Sequence, residues 1–414
     1  MTVPPPASSS EPRAAASHGA QSAPGRLPAD AAASHSSRHR LLFLVTEDWY
    51  FWGHRIALAR AARAAGYTVV VATRVATLAD EISREGFWLE PLPWQRGSLN
   101  PVRLFSDIRQ VIRVYRRVRP DIVHHVSLKP ILVGTAAALF MPGVAVLNAL
   151  TGRGYAFTSR EPRARLLAFL LTAALRVLLR RRRTLTLLEN RDDQQFVCER
   201  IGASPQQTAV NPGSGVDVRH FSVLPLPTHE PVTIGCAARM LRIKGIADLV
   251  AASRILRARN VPHRLLLAGG IDAENPDAIS EQTVRDWVQS DGVEWRGQID
   301  DVRTLWRDCD IAALASLGGE GVPLSLVEAA ACGRPIVATD VPGSRDIARD
   351  GVNGVVVPAG SPKALADALD RLVRDRDLRN RYGAESRRIA ESEFSSDKVI
   401  AATLALYRQL LSTT

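Results

Sequence analysis

From residue 41 onward the chain alternates short, wholly apolar runs with longer stretches whose apolar positions return every three or four residues. Residues 41–45 (Leu-Leu-Phe-Leu-Val) have no polar position, which predicts a strand buried on both faces. Residues 54–65 then carry a helical period, Gly66 ends it, and 67–72 reads as the next strand. The same alternation predicts strands at 87–92, 121–125, 144–148, 184–188 and 208–210, with helices at 102–118 and 131–141 between them. Repeated units of this kind predict a parallel, doubly wound sheet, because each crossover helix covers the sheet face it passes. A proline-rich segment, 225–231, breaks the series, and strands at 232–237, 265–267, 293–295, 311–314, 336–338 and 355–357 form a second one. An α/β protein of two domains facing a cleft is expected, 39–224 and 225–396, with a last helical segment at 397–414.

Residues 1–38 are Pro, Ala, Ser and His with almost no large apolar side chains, a composition expected to stay disordered. They hold no apolar core of the length a signal peptide needs, which points to a cytoplasmic protein. The 414 residues carry a net charge of +11, so an anionic partner is expected: nucleic acid, lipid headgroups or a phosphorylated substrate. The basic groups are nearly all arginine; the lysines are Lys129, Lys244, Lys363 and Lys398. Cys198, Cys236, Cys309 and Cys332 lie far apart without a Cys-x-x-Cys spacing, which supports neither a zinc ribbon nor a redox dithiol.

Two apolar tracts invite a membrane reading. Residues 130–152 are uncharged over a spanning length, but Pro142-Gly143 breaks them midway and the second half reads as strand. The centre of 163–183, residues 166–175, is too short to span and runs into four arginines, Arg180 to Arg183. A buried helix with a solvated basic end fits this tract, and so does a helix lying in a membrane interface with its arginines on anionic headgroups.

The densest chemistry lies in residues 318–346. A strand runs into a glycine-rich loop holding Glu320, then Gly321 and Val322; Pro323 and Leu324 open a helix that contains Glu328 and stops at Gly333. Such a loop sits at the carboxyl edge of a parallel sheet, and the free amides of its helix N-terminus attract phosphate. With the Pro-Gly-Ser-Arg turn that follows, this stretch resembles the retaining glycosyltransferases of family 4. Those enzymes have the GT-B fold, two Rossmann-like doubly wound domains facing a cleft, with the last helix crossing back onto the first domain. The resemblance implies that Glu320 touches the transferred sugar, that Glu328 holds the nucleotide ribose, and that Gly321, Val322, Pro323 and Leu324 line the donor. Without a ligand, Glu320 would be a charge favouring the helix dipole and Glu328 an ordinary helix-surface acid.

Arg239 and Lys244, five residues apart at the start of the second domain, match the arginine and lysine with which the family grips the donor diphosphate. Fixed cations there stabilise the charge that develops as the sugar leaves. Gly269-Gly270 would let the backbone approach the nucleotide or would simply turn the chain, and Arg296 resembles an edge for the base. In the first domain, residues 46–55 fill the loop after the first strand, with Gly53 and His54 near the acceptor. Trp49, Tyr50, Phe51 and Trp52 in it either pack under the loop or wall the acceptor site. His124 and His125 end a strand where the family often has two histidines separated by one residue; adjacent positions point to opposite faces, so one is expected in the core and one in the reaction centre. Lys129 follows, and Thr151 to Phe157, with Arg153 and Tyr155, resembles a loop of members that build bacterial surface polysaccharides.

The implied enzyme is a hexosyl- or N-acetylhexosaminyl-transferase that needs neither metal nor cofactor. Its donor is a nucleotide-diphosphate-sugar, and its acceptor a glycan or polyprenyl-diphosphate-linked saccharide. An anionic membrane surface is a further partner; nucleic acid is not expected. A nucleotide-sugar epimerase of similar fold, needing no acceptor, is the enzymatic alternative, and a basic binding protein the non-enzymatic one. The chain lacks a Gly-x-Gly-x-x-Gly after any strand, a phosphate loop ending in Gly-Lys-Ser/Thr, and a His-Glu-x-x-His zinc motif.

Overall fold

The computed structural model describes residues 39–95, 101–153, 157 and 162–412. Its first sheet has seven strands: β1 (Arg40–Glu47), β2 (Thr68–Arg74), β3 (Trp88–Pro91), β4 (Ile122–Val126), β5 (Ala145–Leu150), β6 (Thr184–Leu188) and β7 (Thr208–Val210). They lie in the order β3-β2-β1-β4-β5-β6-β7, and every pairing is parallel. The second sheet, of six strands, holds β8 (Val232–Ala237), β9 (His263–Ala268), β10 (Val293–Trp295), β11 (Ile311–Leu314), β12 (Ile336–Thr339) and β13 (Gly354–Val357). Its order is β10-β9-β8-β11-β12-β13, again all parallel. In each sheet the order reverses beside the first strand, at β1/β4 and at β8/β11, where adjoining loops diverge and leave a crevice.

The helices that position the site are α1 (Asp48–Ala64), α2 (Leu128–Ala138), α3 (Pro162–Leu178), α4 (Ile246–Ala258), α5 (Leu324–Ala331) and α6 (Ser396–Ser412). Both faces of the first sheet are covered: Leu41, Phe43 and Val45 pack on one side with Phe51, and Leu42 and Leu44 on the other with Tyr115 and Val133. Tyr407 and Leu410 of α6 belong to the first of these cores, so the last helix packs on the first sheet. Asn211 Nδ2 donates to Val399 O at 2.9 Å in that packing.

The loop expected at 46–55 is instead the end of β1 and the first turns of α1, which starts directly after β1. Asp48 makes this abrupt entry stable. Its buried carboxylate accepts from Trp49 N (2.7 Å), Ala76 N (2.7 Å), Thr77 N (2.9 Å) and Leu78 N (3.0 Å). Burial alone would raise its pKa, yet those backbone N–H groups hold it below the usual carboxylate value. The loop after β2 is thereby tied to the first turn of α1. The 130–152 tract is α2 followed by β5, and among the described residues no helix is long and apolar enough to cross a membrane.

Candidate active site

β11 leads into a loop with Gly318 and Gly319 in left-handed conformations, and Glu320 follows just ahead of α5. Ser316 Oγ donates to Glu320 Oε1 at 2.7 Å, and Lys244 Nζ donates to the same oxygen at 2.6 Å. Lys244 ends a short turn that Gly245 closes with φ +65°. A Cβ on Gly245 would lie 1.8 Å from Ala315 O, so only glycine lets the N-terminus of α4 come close enough for Lys244 to reach Glu320. Arg239 follows β8 and donates to Asp272 Oδ2 at 2.6 Å with its guanidinium half-exposed. Glu328, on α5, has its carboxyl pushed up to about 8 by burial, with the charge of Asp301 adding to the effect.

Gly269 owes its identity to the protein's own backbone. At φ +142°, an added Cβ would stand 1.8 Å from Ala238 O, so the glycine packs the β9 loop against the β8 loop that carries Arg239. At Gly270 a Cβ would meet the Gln298 Oε1 at 3.1 Å, again a contact within the domain. Arg296 is turned to Asp308, with its Nη2 donating to Oδ2 at 2.6 Å.

On the first-domain side, Tyr50 and His54 are one turn apart on α1 and stack at 4.2 Å between ring centroids. The Tyr50 hydroxyl bonds to Thr151, and His54 Nδ1 pairs with Ser214 Oγ at 3.3 Å. Burial pushes the His54 pKa down to about 3, with the charges of Arg55, Arg239 and Lys244 acting in the same direction. His54 is therefore a neutral imidazole within the field of the two cations of the other domain. The aromatic cluster divides: Phe51 packs on Phe43 and Phe87, Trp52 lies under Arg60, and Trp49 is exposed. Gly53 is exposed, and an added Cβ meets nothing within 4 Å, so no close approach requires glycine there.

The two histidines of β4 point to opposite faces, and both are core residues. His125 Nε2 pairs with the Tyr115 hydroxyl at 2.7 Å and Nδ1 with Asn148 Oδ1 at 2.7 Å; burial pushes its pKa down to about 4. His124 Nδ1 pairs with the Tyr407 hydroxyl at 2.6 Å, and burial, ahead of the Arg55 and His125 charges, holds it far below its ordinary value. His124 also backs a cavity of about 20 Å³ shared with His54, Arg55 and Ser214. Both rings are thus paired inside the first domain, because a strand in the middle of a doubly covered sheet has helices on both sides.

Two further acceptor candidates are engaged inside their own domain. Lys129 Nζ donates to Gln95 O at 2.8 Å, lies 3.0 Å from Asp107 Oδ2 and stands over the Trp94 ring, beside a pocket of about 170 Å³. Arg153 donates to Asp193 Oδ1 at 2.6 Å and to Asp192 O at 3.0 Å and stacks on Phe196. Tyr155 and the tail 1–38 lie outside the described residues.

The sequence reading passed over Glu189, which directly follows β6. Its Oε2 accepts from Val322 N of the other domain at 2.9 Å, and its Oε1 lies 3.9 Å from Arg55 Nη2. The available signal was position: an acid at the carboxyl end of a buried parallel strand stands where such sheets bind ligands. A second cross-cleft pair joins Arg345 Nη2 to Asp192 Oδ1 at 2.9 Å, and a third joins Arg74 Nη2 to Glu274 Oε2 at 3.3 Å.

Residues 40–188 match a family model described as glycosyl transferase 4-like, and residues 231–375 match one described as glycosyl transferases group 1. The chain belongs to the family 4 glycosyltransferases. The chain is 44% identical over 99 residues to the phosphatidyl-myo-inositol mannosyltransferase of Mycobacterium leprae, covering 23% of this chain and 26% of that protein. It thus spans about a quarter of that relative's length. Over 299 residues it is 22% identical to the N,N'-diacetylbacillosaminyl-diphospho-undecaprenol alpha-1,3-N-acetylgalactosaminyltransferase of Campylobacter jejuni, covering 69% of this chain and 76% of that protein. Among solved structures, Anabaena HepE in complex with UDP and glucose superposes with a TM-score of 0.72 at 18% identity, covering 90% of this chain and all (100%) of that one. The chain therefore has the GT-B fold. Among its described residues no group of three or more His, Cys, Asp or Glu side chains is arranged to hold a metal ion.

Proposed function

We propose that this glycosyltransferase moves a sugar, with retention of anomeric configuration, from a nucleotide-diphosphate-sugar to a glycan or polyprenyl-diphosphate-linked saccharide in surface polysaccharide synthesis. The observation that carries the reading is the Lys244–Glu320 pair at the mouth of a phosphate-attracting helix N-terminus, with Arg239 beside it and the neutral His54 across the cleft. When the donor enters, its diphosphate competes with Glu320 for Lys244 and with Asp272 for Arg239. As the bond from the anomeric carbon to the phosphate oxygen breaks, negative charge grows on the leaving group, and the two cations stabilise it without a metal. The acceptor oxygen bonds to the anomeric carbon on the same face, and a phosphate oxygen of the leaving group takes the acceptor proton. Glu320 then lies against the sugar and Glu328 against the ribose. Acceptor chemistry of the polyprenyl-diphosphate class is supported by the Campylobacter relative's name, and a uridine diphosphate donor by the ligand of HepE.

A lipid-linked acceptor calls for docking at the inner face of a membrane by a cytoplasmic protein, and α3 supports this. Leu166 (62%), Phe169 (71%), Leu170 (56%) and Val177 (69%) are exposed along one face, while Leu171, Leu175 and Leu178 are buried beneath. Only part of the tetra-arginine is available to headgroups. Arg181 donates to Met141 O and Val144 O, and Arg183 to Gly143 O, whereas Arg180 and Arg182 are exposed. Thermal unfolding across a panel of nucleoside diphosphates tests the donor reading, since a ligand of the native state raises its stability by mass action. A rise for at least one diphosphate, absent with the matching nucleoside, is expected; no rise for any member overturns it.

A further inference from the structure

The glycine-rich loop is clamped at very short range from three sides. A Cβ on Gly343 would stand 1.6 Å from Gly321 O, and one on Gly152 would stand 2.6 Å from Gly319 O. A Cβ on Gly321 would stand 1.9 Å from Glu189 Oε2. Gly343 belongs to the loop's own domain, but Gly152 and Glu189 come from the strand ends of the other one. Glu189 supplies the polar contact of this clamp: its Oε2 takes the Val322 N–H at 2.9 Å, an amide just ahead of α5 that the helix itself leaves without a partner. On its other side Arg55 approaches, donating to Ser214 Oγ at 3.1 Å and to His54 O at 3.2 Å. A continuous path thus runs from α1 through Arg55, Glu189 and Val322 to Glu320 and Lys244.

We propose that Glu189 is a positioning residue: reaching across the cleft from the end of β6, its carboxyl group holds the Gly321–Val322 backbone and, through it, the placement of Glu320. The consequence for turnover rests on the reading of Glu320 given above; the hold on the loop does not. The groups facing Glu189 are Arg55 and Tyr50 from α1, Asp193 from the helix Arg191–Phe196, and Glu320. Burial dominates and pushes its pKa up to about 7, against the lowering effects of Arg55 and the Val322 N–H. The sign follows from linkage. The held carboxyl binds its proton more tightly than a solvated one, so protonation tightens the hold and ionisation loosens it as the pH rises through about 7.

Amide hydrogen exchange of residues 316–327 in the full chain tests this, read beside turnover with a donor sugar. Glu189→Ala is expected to exchange there about tenfold faster than the parent below about pH 6, where the parent's carboxyl is protonated, and to show no loss of protection as the pH rises. Its kcat should fall about tenfold, with the donor KM within about threefold. Glu189→Gln keeps an oxygen to accept from Val322 N–H without a charge to bury, so it should stay protected at all pH. The parent should lose protection between about pH 6 and about pH 8, after correction for intrinsic exchange. Equal exchange in the parent and Glu189→Ala below about pH 6 overturns the proposal, as does a Glu189→Gln protein that follows the parent's pH dependence. If Glu189→Ala does not fold, the parent and Glu189→Gln comparison decides. A parent that transfers no sugar from any donor defeats the proposed function while the exchange comparison still decides the hold.

Discussion

Lys244 Nζ and Glu320 Oε1 lie 2.6 Å apart although 76 positions separate them in the chain. Both side chains are largely buried, so each neutralises a charge that would otherwise be costly to bury. The pair keeps the donor site balanced until a diphosphate arrives to take the lysine. Lys244→Ala and Glu320→Ala are each expected to lower kcat by about a hundredfold or more. Removing both should destabilise the fold by less than the sum of the single changes, because neither charge is then left alone. Near-parental turnover in either single variant, measured on folded protein, removes the pair from the chemistry.

Glu328 gives a prediction with two signs. Its folded carboxyl keeps a proton up to about pH 8, whereas in the unfolded chain the group ionises near 4.5. Between these values the native state binds more protons than the unfolded state, so this group's contribution to stability is present below about 4.5 and is lost as the pH rises toward 8. Glu328→Gln should therefore raise the apparent Tm of the free protein at alkaline pH by about 2 °C or more, and flatten its fall with pH. The same variant should bind a ribonucleoside diphosphate about tenfold more weakly and discriminate less against the deoxyribose form. A Gln variant that keeps full discrimination separates Glu328 from the ribose.

For His124 the expected effect is on stability alone. Tyr407→Phe removes the hydrogen bond from α6 to the His124 ring, whose Nε2 already has no partner in the described structure. A cost of about 1–3 kcal/mol in unfolding free energy is expected, with kcat within about twofold of the parent. Denaturant unfolding and steady-state rates on the same preparation check it. A large loss of kcat without loss of stability would return His124 to the reaction.

Docking through α3 predicts co-sedimentation with anionic vesicles that weakens in high salt. Changing the exposed Arg180 and Arg182 to glutamine should reduce binding, each arginine contributing on the order of 1 kcal/mol. Phe169→Ser with Leu170→Ser should reduce it further while leaving the buried Leu171 and Leu175 undisturbed. Replacing all four arginines would be a poorer test, because Arg181 and Arg183 hold backbone carbonyls of the first domain and of α6. Vesicle binding that survives both sets of changes removes α3 from the membrane reading.

Every strand of both sheets was legible in the chain, because a buried parallel strand is a local run of apolar residues and its crossover helix a local period. The Lys244 and Glu320 positions were legible for a related reason: loops at strand ends carry short-range spacings that the fold itself imposes. Tertiary structure alone decided what each polar side chain meets. Gly269 reads as well for ligand approach as for a turn, until Ala238 O is seen 1.8 Å from its missing Cβ. Arg153 reads as part of an acceptor-side loop, and only the structure puts Asp193 beside it, 40 positions on. His124 meets Tyr407, 283 positions away, and Glu189 meets Val322 in the other domain, 133 positions away. Periodicity reports which face of an element is apolar. Which charges meet across a cleft depends on distances between elements far apart in the chain, and no local pattern records them.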